Sequence, residues 1–278
     1  MRYIVEILHQ LELLICPRDC RSDIDMISFT RIRFILSEIE ADFFSGLSES
    51  DLKTANHLVF SSRPGEMSIC NLLVAVATKK GRLCDSLYRE FVRVLIRLIA
   101  RSPNLPNILE EGIHELGVRL CRICNLPSLQ ALGLALSTAL FENSSLPNIC
   151  GAFIARVCSL TKRSTGSTLT LRLACIRNLM AIYSRHGHTL TTSIILEIHM
   201  YLLQSVRIAV CKYPKMDISV AVTIVQAVHI FMDQFPQLEK DSLLCRETIA
   251  FSSLICATQF SHKRKSESII SGFLQNYT

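Results

Sequence analysis

Four residues, Leu105-Pro106-Asn107-Ile108, return 41 positions later as Leu146-Pro147-Asn148-Ile149. Each copy opens an apolar run with helical spacing, and proline suits a first helical turn because the N–H it lacks would have no partner there. Each run leads to a break and then to a second apolar run. The repeating unit is therefore a pair of helices, and 41 residues is a fitting length for one. Such a pair cannot bury its apolar face alone, so two in succession imply that neighbours stack on one another.

Composition agrees with helices along the whole length. Only ten of 278 residues are Gly and eight are Pro, too few for disorder or a turn-dense β-sandwich. Hydrophobic residues make up 49% and charged ones 19%, and mean hydropathy is +0.33. That balance calls for an extensive interior, or for apolar surface that awaits a partner. The longest uncharged windows are residues 123–141 and 218–232. The first is broken by Asn125, Pro127, Ser128 and Gln130, and the second is short of the roughly 20 residues a bilayer needs. Buried helices, and no membrane partner, are expected. Residues 1–16 carry Glu6 and Glu12 in their apolar run and no small-residue cleavage site, unlike a signal peptide. Twelve cysteines lie scattered through apolar runs, among them Cys70, Cys150, Cys158, Cys175, Cys211 and Cys256. They read as reduced, core-filling thiols of a nuclear or cytoplasmic protein.

Helices are expected over residues 3–15, about 23–44, 49–60, 67–78, 83–100, 105–124, 127–141, 147–160, 167–185, 191–211, 217–235 and 238–260. A terminal helix or tail follows at 263–277. Breaks have local causes. Cys16-Pro17 ends the first helix, Ser22 or Asp23 caps the second, and Gly46 closes it. Ser48-x-x-Asp51 resembles a capping box with Asp in place of Glu. Later stops fall at Lys79-Lys80-Gly81, Ser102-Pro103, Asn143-Ser144-Ser145, Thr165-Gly166-Ser167 and His186-Gly187-His188. Pairing the runs gives hairpins near 105–143, 146–186, 190–234 and 239–276. On the two Leu-Pro-Asn-Ile copies, and on the small-residue helix Leu129-Gln130-Ala131-Leu132-Gly133-Leu134-Ala135-Leu136, the C-terminal two-thirds resembles α-solenoids of the armadillo/HEAT type. The resemblance implies an all-α fold of stacked hairpins with a groove for a partner. An irregular helical bundle is the rival architecture.

Charge is unevenly spread. Residues 1–66 carry 7 basic and 11 acidic side chains, a net of −4, whereas residues 67–216 carry 18 and 7, a net of +11. The sign changes at the Ser61-Ser62-Arg63-Pro64-Gly65 loop, so an acidic cap over 1–66 and a basic repeat region over 67–278 are expected. A basic middle of this kind faces something anionic, or lies beside the acidic N-terminal third.

The sharpest local pattern is Arg89, Arg93, Arg97 and Arg101, each four residues from the last, with nearly everything between them apolar. Side chains four apart share one ridge of a helix. Lys79, Lys80 and Arg82 extend the charge at its N-terminal end. These seven residues form a candidate anion- or partner-binding ridge, since arginine suits bidentate contact with phosphate or carboxylate. The competing reading is a solvated strip whose stems cover apolar neighbours. Arg172, Arg177 and Arg185, with Lys162 and Arg163, would prolong a basic surface. Tyr183 and Tyr213 stand nearby and there is no Trp, which argues against a stacking platform for single strands.

Other constellations carry less. Cys121-x-x-Cys124 has no second such pair, and with His114 it supplies three of the four ligands zinc needs. Core thiols are the better reading, and the same holds for Cys16-x-x-x-Cys20. His186 and His188 fall at a helix end, and His199 and His229 fall in apolar runs. No phosphate-binding Gly loop, G-x-S-x-G or H-E-x-x-H occurs. Lys263-Arg264-Lys265 resembles a short basic import signal. The expectation is a non-catalytic scaffold that binds protein as a subunit of a larger complex, with no cofactor, metal or small-molecule substrate. The alternative is a factor that touches DNA or RNA backbone through the ridge.

Overall fold

The computed structural model describes residues 2–16, 24–102, 105–143, 151–161, 169–213, 215–238 and 242–258. The second Leu-Pro-Asn-Ile copy, the Ser22/Asp23 cap, Cys20, Cys150, Pro103, Lys162, Arg163, the Thr165-Gly166-Ser167 break and residues 263–277 lie outside them. Among the described residues there are twelve α-helices and no strand. The all-α class is as expected.

Two compact units divide the chain, residues 1–146 and 147–278. The first holds α1 (Arg2–Ile15), α2 (Met26–Asp42), α3 (Glu49–Phe60), α4 (Ile69–Thr78), α5 (Arg82–Arg101), α6 (Asn107–Ile123) and α7 (Pro127–Asn143). The second holds α8 (Gly151–Ser159), α9 (Leu169–His186), α10 (Thr192–Lys212), α11 (Ile218–Gln234) and α12 (Leu243–Thr258). The loop at 61–66, where the charge changes sign, lies inside the first unit. There the Ser68 hydroxyl donates to the Ser61 carbonyl, and the Asn71 amide donates to the carbonyls of Arg63 and Glu66, both at 2.8 Å. Those bonds tie the loop to the start of α4.

Caps set the helix starts. Asp25 accepts from the Ser28 N–H and begins α2, two or three residues beyond the expected cap at 22 or 23. Ser48, Ser68 and Asp217 do the same for α3, α4 and α11. At the turns after α2 and before α5, Gly46 and Gly81 hold φ of +68° and +128°, values that side-chain-bearing residues rarely adopt.

Packing within each unit follows an order. In the first, α1, α2 and α3 pack on α4, α5 and α6 respectively, and α4 and α5 pack in turn on α6 and α7. In the second, α8 packs on α10, α10 on α12, and α9 on α11. Sequence neighbours also touch, α6 and α7 over the most extensive contact. At that crossing a Cβ on Gly133 would stand 2.7 Å from Leu120 Cβ and 3.2 Å from the Gly117 carbonyl oxygen, so glycine is what lets the backbones approach. Two buried tyrosines mark the second-neighbour contacts. Tyr88 of α5 donates to the Leu129 carbonyl of α7 at 3.0 Å, and Tyr183 of α9 donates to the Ala227 carbonyl of α11.

α10 is the one helix among the described residues long and apolar enough to cross a membrane, by length and composition. It packs against α8, α9, α11 and α12, and buries Ile195, Ile198, Tyr201, Leu202, Leu203, Val206 and Ala209. Of the ten cysteines among the described residues, seven are buried, while Cys211 stands exposed at the end of α10 rather than in the core.

Candidate partner-binding surfaces

The arginine ridge runs along α5. Leu87, Tyr88, Phe91, Val92, Val94, Leu95, Leu98 and Ile99 are buried, which turns positions 89, 93, 97 and 101 outward as one strip. The strip does not stand free. α2 lies beside it, and the Glu40 carboxylate, only 12% exposed, accepts from Arg93 Nη1 at 3.0 Å and from Arg97 Nη1. The backbone carbonyl of Glu40 accepts from Arg101. Glu90, on α5 itself, takes Arg93 Nε and Nη2 at 2.9 Å each and lies 3.8 Å from Arg33 Nη2 of α2. Arg89 has a neutral partner, donating to Ser128 Oγ at the start of α7 at 3.2 Å.

The acid of the N-terminal third that the charge pattern calls for is therefore Glu40, and it sits two turns from Arg33 on the same side of α2. Lys79, Lys80 and Arg82, around the α4–α5 turn, form no ion pair among the described residues. Of the seven ridge residues, the structure binds Arg93, Arg97 and Arg101 to α2 and leaves the basic turn at 79–82 without an acid.

Arg172 is no part of an outer basic surface. It is buried in the second unit, donating to Ser205 Oγ at 3.0 Å with its guanidinium 5.1 Å from the Tyr201 ring centre. Arg177 and Arg185 are exposed. The Cys121, Cys124 and His114 set is likewise engaged elsewhere. Cys121 Sγ donates to the Gln130 carbonyl at 3.0 Å, the Cys124 thiol lies beside the Tyr88 hydroxyl, and His114 Nδ1 is 2.7 Å from Ser137 Oγ with its ring stacked on Phe141. Among the described residues no three potential metal ligands gather. His186 is buried at the end of α9 and held neutral by burial, its pKa below the ordinary value. Burial also lowers His199, and His229 lies 3.6 Å from Asp233.

Apolar residues at the surface complete the picture, and sequence reading missed them. α2 carries more apolar residues than one face can bury. Ile32, Ile35, Leu36 and Ile39 point to the core, and roughly opposite them Phe34 is 63% exposed and Ile27 70%. Between α1 and α2 runs a groove of about 720 Å³, lined by Leu13 and Leu14 on one side and Thr30, Phe34 and Ile35 on the other. The signal was present in sequence as Met26, Ile27 and Phe34, which fall out of phase with the core positions. On α10, Leu196 and Met200 stand exposed, and Met200 borders a depression of about 390 Å³ with Cys158 and Tyr201. Arg207 at its rim is forked onto Glu247 of α12, at 2.7–3.0 Å.

The chain matches no known protein family, no characterised protein and no solved structure.

Proposed function

We propose that this protein is a non-catalytic helical scaffold that holds another protein, in the manner of armadillo/HEAT-type stacked helices, as one subunit of a larger assembly. One observation carries the reading: large apolar side chains stand exposed on outer helix faces, Met26, Ile27 and Phe34 on α2 and Leu196 and Met200 on α10. Apolar surface left open in this way marks an interaction site. The order of packing supports the stacked reading. Helices three apart pair in the first six, and helices two apart pair from α4 to α7 and from α8 to α12, which are the contacts of three-helix and two-helix repeats laid side by side.

The nucleic-acid reading narrows to Lys79, Lys80, Arg82 and Arg89, the ridge residues that α2 does not engage, because Arg93 and Arg97 share the Glu40 carboxylate and Arg101 is held by the Glu40 backbone carbonyl. Affinity capture of the full chain from its native source, with and without nuclease, separates the two. A protein partner retained after nuclease, and held as salt rises from ~50 to ~200 mM, is the expected outcome. A partner lost with nuclease, or affinity that falls by orders of magnitude over that salt range, establishes phosphate contact instead.

A further inference from the structure

We infer that the groove between α1 and α2 is the docking site for an amphipathic helix of the partner, one that carries an apolar stripe bracketed by a carboxylate and a cation about seven residues apart. The inference rests on the scaffold reading and says where and what the scaffold binds. The two sides of α2 differ in how their charges are used. On the side facing α5, Arg33 and Glu40 are both drawn into contacts with α5, Arg33 near Glu90 and Glu40 with Arg93 and Arg97. On the side facing the groove, Arg31 and Glu38 have no ion-pair partner among the described residues, and both line the groove. They are seven residues apart, two helical turns or roughly 10 Å. Between them stands Phe34, facing Leu13 and Leu14 of α1.

An apolar floor with one positive and one negative end has a complement. It is a helix whose apolar residues, three and four positions from each charge, fill the floor, with an acid opposite Arg31 and a base opposite Glu38. A bilayer would leave Glu38 facing lipid, and nucleic acid offers neither the apolar stripe nor the cation.

Two synthetic helical peptides test this on the full chain by fluorescence anisotropy. One reads Glu-x-x-Leu-Leu-x-x-Lys and the other Lys-x-x-Leu-Leu-x-x-Glu, each within an Ala-rich frame of about 18 residues. One of them is expected to bind at least about threefold more tightly than the other, and the double charge reversal Arg31→Glu/Glu38→Arg is expected to exchange the preference. Phe34→Asp, at a site already in solvent, is expected to weaken the preferred peptide more than about tenfold while far-UV circular dichroism is unchanged.

Binding of neither peptide up to about 1 mM, or equal binding by the Phe34→Asp chain, overturns the inference. So does a concentration-dependent dimer in sedimentation that Phe34→Asp abolishes, which assigns the groove to a second copy of this chain. If the nuclease-resistant partner from the native source is still captured by Phe34→Asp, the scaffold reading stands and only the groove assignment falls. Loss of that partner from the unmodified chain on nuclease treatment removes the scaffold reading itself.

Discussion

Glu40 shows how a single carboxylate decides what a basic ridge is for. Half-exposed on their own, Arg93 and Arg97 converge on one mostly buried acid, which fixes α2 against α5. Glu40→Gln keeps the shape and removes the charge, and is expected to lower unfolding free energy by about 1–2 kcal/mol in urea titration. Combined with Arg97→Gln, the losses are expected to fall short of additive, because the two substitutions remove one shared contact. α6 holds a second informative pair. Burial raises Glu110 to about 7 from an ordinary 4.5 and lowers His114 to about 4 from 6.5. Between pH 4.5 and 7 the unfolded chain gives up the Glu110 proton while the folded chain keeps it, so stability from this group falls as pH rises. Between pH 6.5 and 4 the unfolded chain binds a proton at His114 that the folded chain refuses, so stability from that group falls as pH drops. The two oppose one another over their common range. Glu110→Gln leaves His114 alone, and its advantage over the parent chain is expected to be larger at about pH 7.5 than at about pH 5, by about 1–3 kcal/mol from urea midpoints.

At the level of helices, α6 and α7 cross closely at Gly117 and Gly133. Gly133→Ala places a methyl 2.7 Å from Leu120 Cβ and 3.3 Å from the Tyr88 hydroxyl, and the helices must separate to admit it. A loss of about 1–3 kcal/mol in urea denaturation is expected. Sequence made this element legible in part. The apolar period, the Pro127 start and the small residues of α7 all point to a closely packed second helix. Helix number and order were readable for the same reason, since Leu and Ile recur at helical spacing between Gly and Pro stops. The cap at Ser48 stands where expected, and only that of α2 shifted, to Asp25, because Asp25 competes with Ser22 and Asp23 for one role and only packing of the following helix decides. Which helix lies against which was not legible beyond adjacent pairs. The Tyr88–Leu129 and Tyr183–Ala227 bonds join helices two apart, and nothing local in either segment announces its distant partner. The ridge was legible as a pattern, but its use was not. Four arginines in register look alike whether they face solvent or an acid from a distant part of the chain.

For the molecule as a whole, division into two compact units has a direct consequence. Residues 1–146 and 147–278, expressed separately, are each expected to be helical by circular dichroism and to unfold cooperatively in urea. Tyr88→Phe, which removes the hydroxyl bond to the Leu129 carbonyl, is expected to lower the unfolding free energy of the first fragment, and Tyr183→Phe that of the second, by about 1 kcal/mol each. If the chain meets its partner with apolar helix faces while the α5 arginines work inward, binding must protect one set of helices and spare another. Hydrogen exchange on the full chain, alone and in its native complex, tests that most directly. Slowed exchange in α1 and α2, with residues 79–101 unchanged and the pattern indifferent to nuclease, is the result predicted. Slowing confined to residues 79–101, and abolished by nuclease, would contradict it.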